Sequence, residues 1–537
     1  MTEVIAKEKK IPNKRRIVFS VGSGALFALF LFSGFSLKHT GDLYFKSIPG
    51  YLVYFLLTAV LSAGFYFLFY KDGAFACRGK SLPPKVTRFL LPGCFLFIFL
   101  AWLVQLLGVY PGFFNYDADR QWLMYANSEV TAHHPVLHTY LVGWCIAFSY
   151  NVFKSPLRGC AIYVLIQMLI TDYAYTSVLS FLIRRKVNTV FLILATLWFS
   201  FAPTVAMCVL SVTKDSMFTA FFVLFVVETL GILEKRKEEK FRILHFIVWC
   251  ISAFFCAVMR NNAVYVMIPF LIFMALYLRK KQVIIGVISV ILALVLYLGP
   301  VSSAITVAGV KSTEFLSVPA QQAVRVYILH KDELPEDERR MIEETFEEIA
   351  LEFYVPKIAD VAKGCIRQEY LQAHKTELLS LWLKLGLKYP GDYLEAFLLD
   401  NCGFWYPWMS LALMADGTEG YYVCRSYPPV WNVSKIPIIE TYFHCFEYSS
   451  VVCKNPVFMW IFAPATYFYT FLLACLYLLY HRKKDMIAMI PVLLVWMTFL
   501  LGPVALVRYV GFLYALVPLE AGLFIGTFKE SESGKEE

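Results

Sequence analysis

Polar residues are nearly absent from long stretches of this chain. Apolar runs recur near 17–36, 49–70, 89–110, 159–183, 189–210, 216–233, 242–258, 263–278, 282–300, 457–480, 486–506 and 509–527. A membrane-crossing helix needs about 20 mostly apolar residues. The pattern therefore predicts an all-α polytopic membrane protein with about twelve transmembrane helices. The stretch 135–153 is apolar enough to be a thirteenth, and the basic clusters argue against that count. NKRR (13–16), the Lys/Arg scatter of 71–88, RRK (184–186), EKRKEEK (234–240), RKK (279–281) and HRKK (481–484) fall on one side only if 135–153 does not cross. Lys and Arg mark the cytoplasmic side. We therefore read 135–153 as a helix in the membrane interface, both termini as cytoplasmic, and the protein as a multi-pass component of the cell membrane.

The same reading orders the chain into expected units. Residues 1–88 hold a cytoplasmic tail and two spans. Residues 89–300 form a membrane module with an acidic first outer loop. Residues 301–456 form a mainly helical extracytoplasmic domain. Residues 457–528 add three spans, and 529–537 are a disordered tail. Within 301–456, PEDERRMIEETFEEIALEF has apolar residues at helical spacing, and aromatic runs such as FWYPW (404–408) suit a surface resting on lipid headgroups.

Composition agrees with the pattern. Hydrophobic residues make up 59% of the 537 and charged residues only 17%, against about 25% charged in soluble chains. The net charge of +9 does not imply a nucleic-acid partner. Residues 301–456 carry 14 basic and 21 acidic residues, so the basic excess lies in the remainder and marks the cytoplasmic face. Of thirteen cysteines, most lie in apolar segments. Five (Cys365, Cys402, Cys424, Cys445, Cys453) fall in 301–456, where their spacing identifies no disulfide pair.

Candidate chemistry gathers at the expected outer ends of spans. PGFFNYDADRQW (111–122) offers Asp117 and Asp119, carboxylates suited to accept a proton from an attacking hydroxyl. The surrounding aromatics are expected to raise the pKa of such a base. HHPVLH (133–138) places His134 and His138 four residues apart, on one helical face. With an aspartate they offer a divalent metal site; alternatively Pro135 simply starts a helix. Lys214 and Asp215 in SVTKDS, Arg260 and Asn261 in MRNN, and Arg508 in VRYVGF end or begin spans. The three cations form an anion site if they share a cavity, phosphate being the obvious anion; each alone only snorkels to headgroups. Gln321, Gln322 and Arg325 follow the ninth span and either read a sugar or diphosphate or cap a surface helix.

An acidic first outer loop, then His-Pro and an apolar helix, then Lys-Asp at a later span end, resembles the GT-C class of membrane glycosyltransferases. PGFFNYDADRQW, HHPVLHTYLVGW, SVTKDSMF, MRNNAVY, LSVPAQQAVRVY and LDNCGFWYP are more closely similar to an uncharacterised family of bacterial multi-pass proteins, found mostly in Gram-positive organisms. The resemblance implies transfer of a sugar from a polyprenyl-phosphate donor to an envelope acceptor outside the membrane. It implies an acidic base or metal ligand at Asp117 or Asp119, and a second acidic position at Asp215. Where the class often has two adjacent acids, this chain has Lys214 before a single Asp215. A transporter or lipid flippase is the rival expectation, which charges buried along the spans would favour.

Overall fold

The computed structural model describes residues 13–43, 47–69, 83–309, 315–409, 421–447 and 455–525. The expected tails, the basic residues of 71–82 and Cys453 lie outside these. Among the described residues the chain is helical, with isolated backbone bridges and no strand. Eight helices are long and apolar enough to cross a membrane, and ten if each of two bent pairs is one span. The bends, of 48° and 52°, fall at Ala202 and Ala463, each extended before a proline, because the proline ring disfavours helical geometry in the residue ahead of it.

Seven of the twelve expected segments are among the eight. Two more form the bent pairs, Thr189–Phe201 with Pro203–Leu210 and Pro456–Phe462 with Pro464–Tyr480. Ile243–Met259 and Met486–Phe499 are helical but shorter, and Gly511–Ile525 is described over 15 residues. The eighth long helix is Val136–Phe153.

One helix organises the bundle. Lys214–Glu234 is buried along nearly its whole length, against Pro156–Arg184, Ile243–Met259 and Gly511–Ile525. Its 21 residues span about 30 Å at about 1.5 Å each, close to the hydrocarbon thickness of a bilayer. Charge appears at both of its ends. Lys214 and Asp215 open it, while Glu234 closes it in an ion pair with Arg185, which also binds Asp485 at 3.0 Å.

Two hydrophobic cores matter here. The larger joins the apolar helices and includes Leu399, Phe404, Trp405, Tyr406, Tyr422 and Phe443. The smaller is built from residues between Leu316 and Tyr393. Three of the four FWYPW aromatics are therefore packed inside the protein, and Trp408 alone keeps a partly exposed ring. Phe404, Trp405 and Tyr406 are buried, with the Tyr406 ring against Gly34 and the Trp405 ring 5.9 Å from Phe30 of the first helix. Apolar area removed from water this way stabilises by about 25 cal/mol per Å², and wide flat rings gain most. Cys365, Cys402 and Cys445 are free thiols, and the Cys424 sulfur lies 3.5 Å from that of Met207.

Candidate functional site

The segment carrying Asp117 is a short loop held from two sides. Phe113 N donates to Leu210 O (2.8 Å) and Val212 N to Phe113 O (2.9 Å), a parallel bridge between the loop and the residues just ahead of Lys214. Gly112 makes this approach feasible. Its φ is +108°, and a Cβ there would lie 2.7 Å from Val164 and 2.9 Å from Leu210 O; only glycine tolerates both demands. From the other side, Ser426 Oγ accepts from Phe114 N and donates to Gly112 O, and Tyr427 N donates to Phe114 O.

This pairing brings five charged side chains from four remote segments together. Lys214 Nζ and Arg508 Nη1 both reach Asp117 Oδ2, at 3.0 and 3.2 Å. Arg508 Nη1 also donates to Asp215 Oδ2 at 2.8 Å, and Arg260 pairs with Asp215 Oδ1. Three cations face two carboxylates, leaving one positive charge in excess. Aromatic rings wall the group: the Arg508 guanidinium lies 4.4 Å from the Tyr116 ring, and that of Arg260 lies 4.2 Å from Phe499 and 4.7 Å from Tyr509.

Exposure is graded across the cluster. The Asp117 side chain is 24% exposed and that of Lys214 17%, whereas Asp215, between its arginines, is 1% exposed. Asp117 and Lys214 are thus the approachable members, and Asp215 is an internal brace. Asn262 Oδ1 accepts from Arg260 Nε, and its amide donates to Thr498, fixing the guanidinium at the break between Ile243–Met259 and Val264–Leu278. Asn261 instead donates to Ala132 O and ties this break to the His134 loop.

The Asp117 carboxyl does not have the raised pKa that its aromatic setting suggested. Burial alone pushes it up, but Lys214, Arg508 and His134 together hold it well below the usual range. His134, whose Nδ1 lies 3.3 Å from Lys214 Nζ, is lowered to about 3, first by burial and then by Lys214.

The other expected residues are placed differently. Asp119 opens the short helix Ala118–Ala126 and its Oδ1 accepts from Arg120 N. His138 has both ring nitrogens engaged, by Gln121 (3.1 Å) and by the Tyr163 hydroxyl (2.7 Å). Among the described residues no three His, Cys, Asp or Glu side chains could hold a metal ion together. A cation beside Asp117 would also meet Lys214 and Arg508 at contact distance. The residues present do not fit the metal site expected of His134 and His138. Gln321, Gln322 and Arg325 are buried in the smaller core, away from these five groups. Gln321 donates to Val355 O, Gln322 bonds Tyr393 O and Trp382, and Arg325 pairs with Glu395 (2.9 Å) and Asp42.

Tyr116, Tyr509, Phe499 and Asn262 had escaped the sequence reading. Three of them adjoin or lie within two residues of a residue singled out, and that adjacency was the available signal; Phe499 offered none.

Fold and site together define an all-helical polytopic membrane protein with a buried, net-cationic cluster at one end of its central helix. The chain belongs to a family of unknown function (DUF6020), whose model matches residues 125–532. Lys214, Asp215, Arg260 and Arg508 fall inside the matched stretch, and Asp117 precedes it. No curated protein and no solved structure matches the chain.

Proposed function

We propose that the protein is a GT-C-type glycosyltransferase that moves a sugar from a polyprenyl-phosphate donor to an extracytoplasmic envelope acceptor. The observation that carries this reading is the convergence of Asp117, Lys214, Asp215, Arg260 and Arg508 on one partly open, net-positive cluster. Such a cluster suits a phosphate flanked by a carboxylate.

The topology in this reading has twelve crossings, with the cluster on the outer side and Val136–Phe153 in the interface. Three contacts support the interfacial placement. His138 meets Tyr163, next to Val164 and Gly112 at the end of helix Pro84–Gly108. Ile146 touches Gly159, near the start of Pro156–Arg184. Tyr140 donates to Ile305 O, at the last residue of its helix. Each contact lies at a helix end that the basic clusters assign to the exterior.

In the reaction, the acceptor hydroxyl oxygen attacks the anomeric carbon while the carbon–oxygen bond to phosphate breaks. The phosphate leaves with the electron pair and the hydroxyl proton passes to Asp117. Lys214 and Arg508 offset the charge growing on the leaving phosphate. Both now hold Asp117 Oδ2. An incoming phosphate draws them away, which raises the carboxylate's proton affinity when a base is required. Asp215 keeps both arginines aligned. No step passes through a metal.

A transporter or flippase reading draws on Asp172, Glu228 and Glu520, all buried in apolar helices. Each has its own partner, Thr176, His245 and Thr470 respectively, and none of these partners is shared, so the three do not join into a path.

The test uses purified full-length protein in nanodiscs with a panel of polyprenyl-phosphate sugars. Transfer from at least one donor, lost in Asp117→Asn but insensitive to chelator, is expected. A full panel without transfer, or wild-type rates in Asp117→Asn, overturns the reading.

A further inference from the structure

The smaller core does not close on itself. Between helices Ser317–His330 and Lys375–Lys388 it leaves a cleft of about 340 Å³, in the size range of small-molecule sites. Its walls include Ala320, Ala323, Phe346, Leu378 and Trp382, and Lys375 stands at its edge as the charged lining residue. Apolar walls with a single cation fit an amphiphile: a hydrocarbon chain inside and an anion at the rim.

Helix Lys375–Lys388 shows where such a chain comes from. Leu381 and Leu385 point into the core, while Leu379, Leu383 and Leu387 form a second stripe at four-residue spacing. That stripe is exposed, Leu387 to 86%, and it starts at the cleft, which Leu379 also lines. Lys388 and Lys384, the latter ion-paired with Glu338, flank it. A leucine ridge edged by lysines is the pattern of a helix lying in the plane of a bilayer surface. The domain is also tied to the end of the first apolar helix: Arg325 donates to Gly41 O and Glu395 accepts from Leu43 N. That tie keeps the domain beside the end of an apolar helix long enough to cross a membrane, so a bilayer is the apolar phase within its reach.

We propose that the cleft takes up the acyl chain of an anionic bilayer lipid, with Lys375 meeting the headgroup and the leucine ridge resting on the membrane. This site is separate from the charged cluster and does not depend on the transferase reading.

Trp382 lines the cleft and reports on it directly. Full-length protein is reconstituted in nanodiscs of phosphatidylcholine, with either phosphatidylglycerol or phosphatidylcholine carrying brominated acyl chains. Emission specific to Trp382 is taken as the difference between wild type and Trp382→Phe. Brominated phosphatidylglycerol is expected to quench it several-fold more than the brominated neutral lipid at equal mole fraction. Lys375→Glu removes that preference, and Ala323→Phe, which fills the cleft, removes the quenching. Where Ala323→Phe lowers the melting temperature, Ala320→Leu replaces it. Absent quenching, equal quenching by both lipids, or quenching that survives a folded cleft-filling variant overturns the proposal.

Discussion

At the scale of single residues, the two acids of the cluster have separate tasks, and variants separate them. Asp117→Asn is expected to lower transfer by about 10²–10⁴-fold, the usual worth of a positioned base, while still folding, at a lower melting temperature because Lys214 and Arg508 lose their shared partner. Asp215→Asn leaves Arg260 and Arg508 facing each other without their shared counter-charge. Breaking a buried ion pair costs about 3–5 kcal/mol, so this variant is expected to lose folded protein in thermal melts before any assay of rate. Acid acts on the same cluster. His134 titrates near 3 in the folded chain, below its unfolded value, so the unfolded state takes up the proton first. Stability present above about pH 6.5 is lost as pH falls toward 3. Asp117, held below its usual range, adds a second loss once pH drops below the unfolded carboxylate value near 4. Thermal melts from pH 7 down to about 3 check both signs, and His134→Gln should flatten the upper part of the curve. The residue types were legible in the sequence because charges beside apolar runs stand out. Their partners were not. Nothing local in VRYVGF or MRNN says that Arg508 and Arg260 bind one carboxylate of SVTKDS, because that pairing is made by helix packing.

Elements explain what the sequence could and could not convey. Apolar run length located the membrane helices, since length and composition are what a bilayer selects. It could not say whether Val136–Phe153 crosses, since that helix passes the same test. The contacts that favour the interfacial placement, His138 with Tyr163 and Ile146 with Gly159, are tertiary. Single cysteines at Asn127 and Ser155, on either side of this helix, check the placement. Both should react with an impermeant thiol reagent from the same side of a sealed vesicle, and opposite sidedness would mean that the helix crosses. Gly112 is a second element-level case. Gly112→Ala forces a Cβ into Val164 and Leu210 O at positive φ. A loss of more than about 1 kcal/mol in denaturant melts is expected, with transfer reduced because the Asp117 loop no longer pairs with the strand-like residues before Lys214. Gln321, Gln322 and Arg325 misled for a related reason. Polar residues just after a span look like ligand contacts, yet here they satisfy the backbone and a buried Glu395. Arg325→Met should therefore destabilise the smaller core by about 3–5 kcal/mol, seen as lower melting, and leave any donor KM unchanged in the fraction that folds.

For the molecule as a whole, the charge cluster and the Arg185–Glu234–Asp485 network cap opposite ends of one bundle, with the central helix between them. The smaller core reaches the first of these ends through backbone contacts. Ala359 N donates to Pro503 O, and Ile358 bridges Val504, four residues before Arg508. The five charged groups all come from outside that domain, yet the loop presenting Arg508 is stitched to it. Trimming the chain to its hydrophobic bundle would thus discard the clamp on an arginine while keeping every charged group in the sequence. A minimal version of this protein, or a chimera that swaps the small domain for a relative's, inherits a working centre only if that two-residue seam is carried across intact.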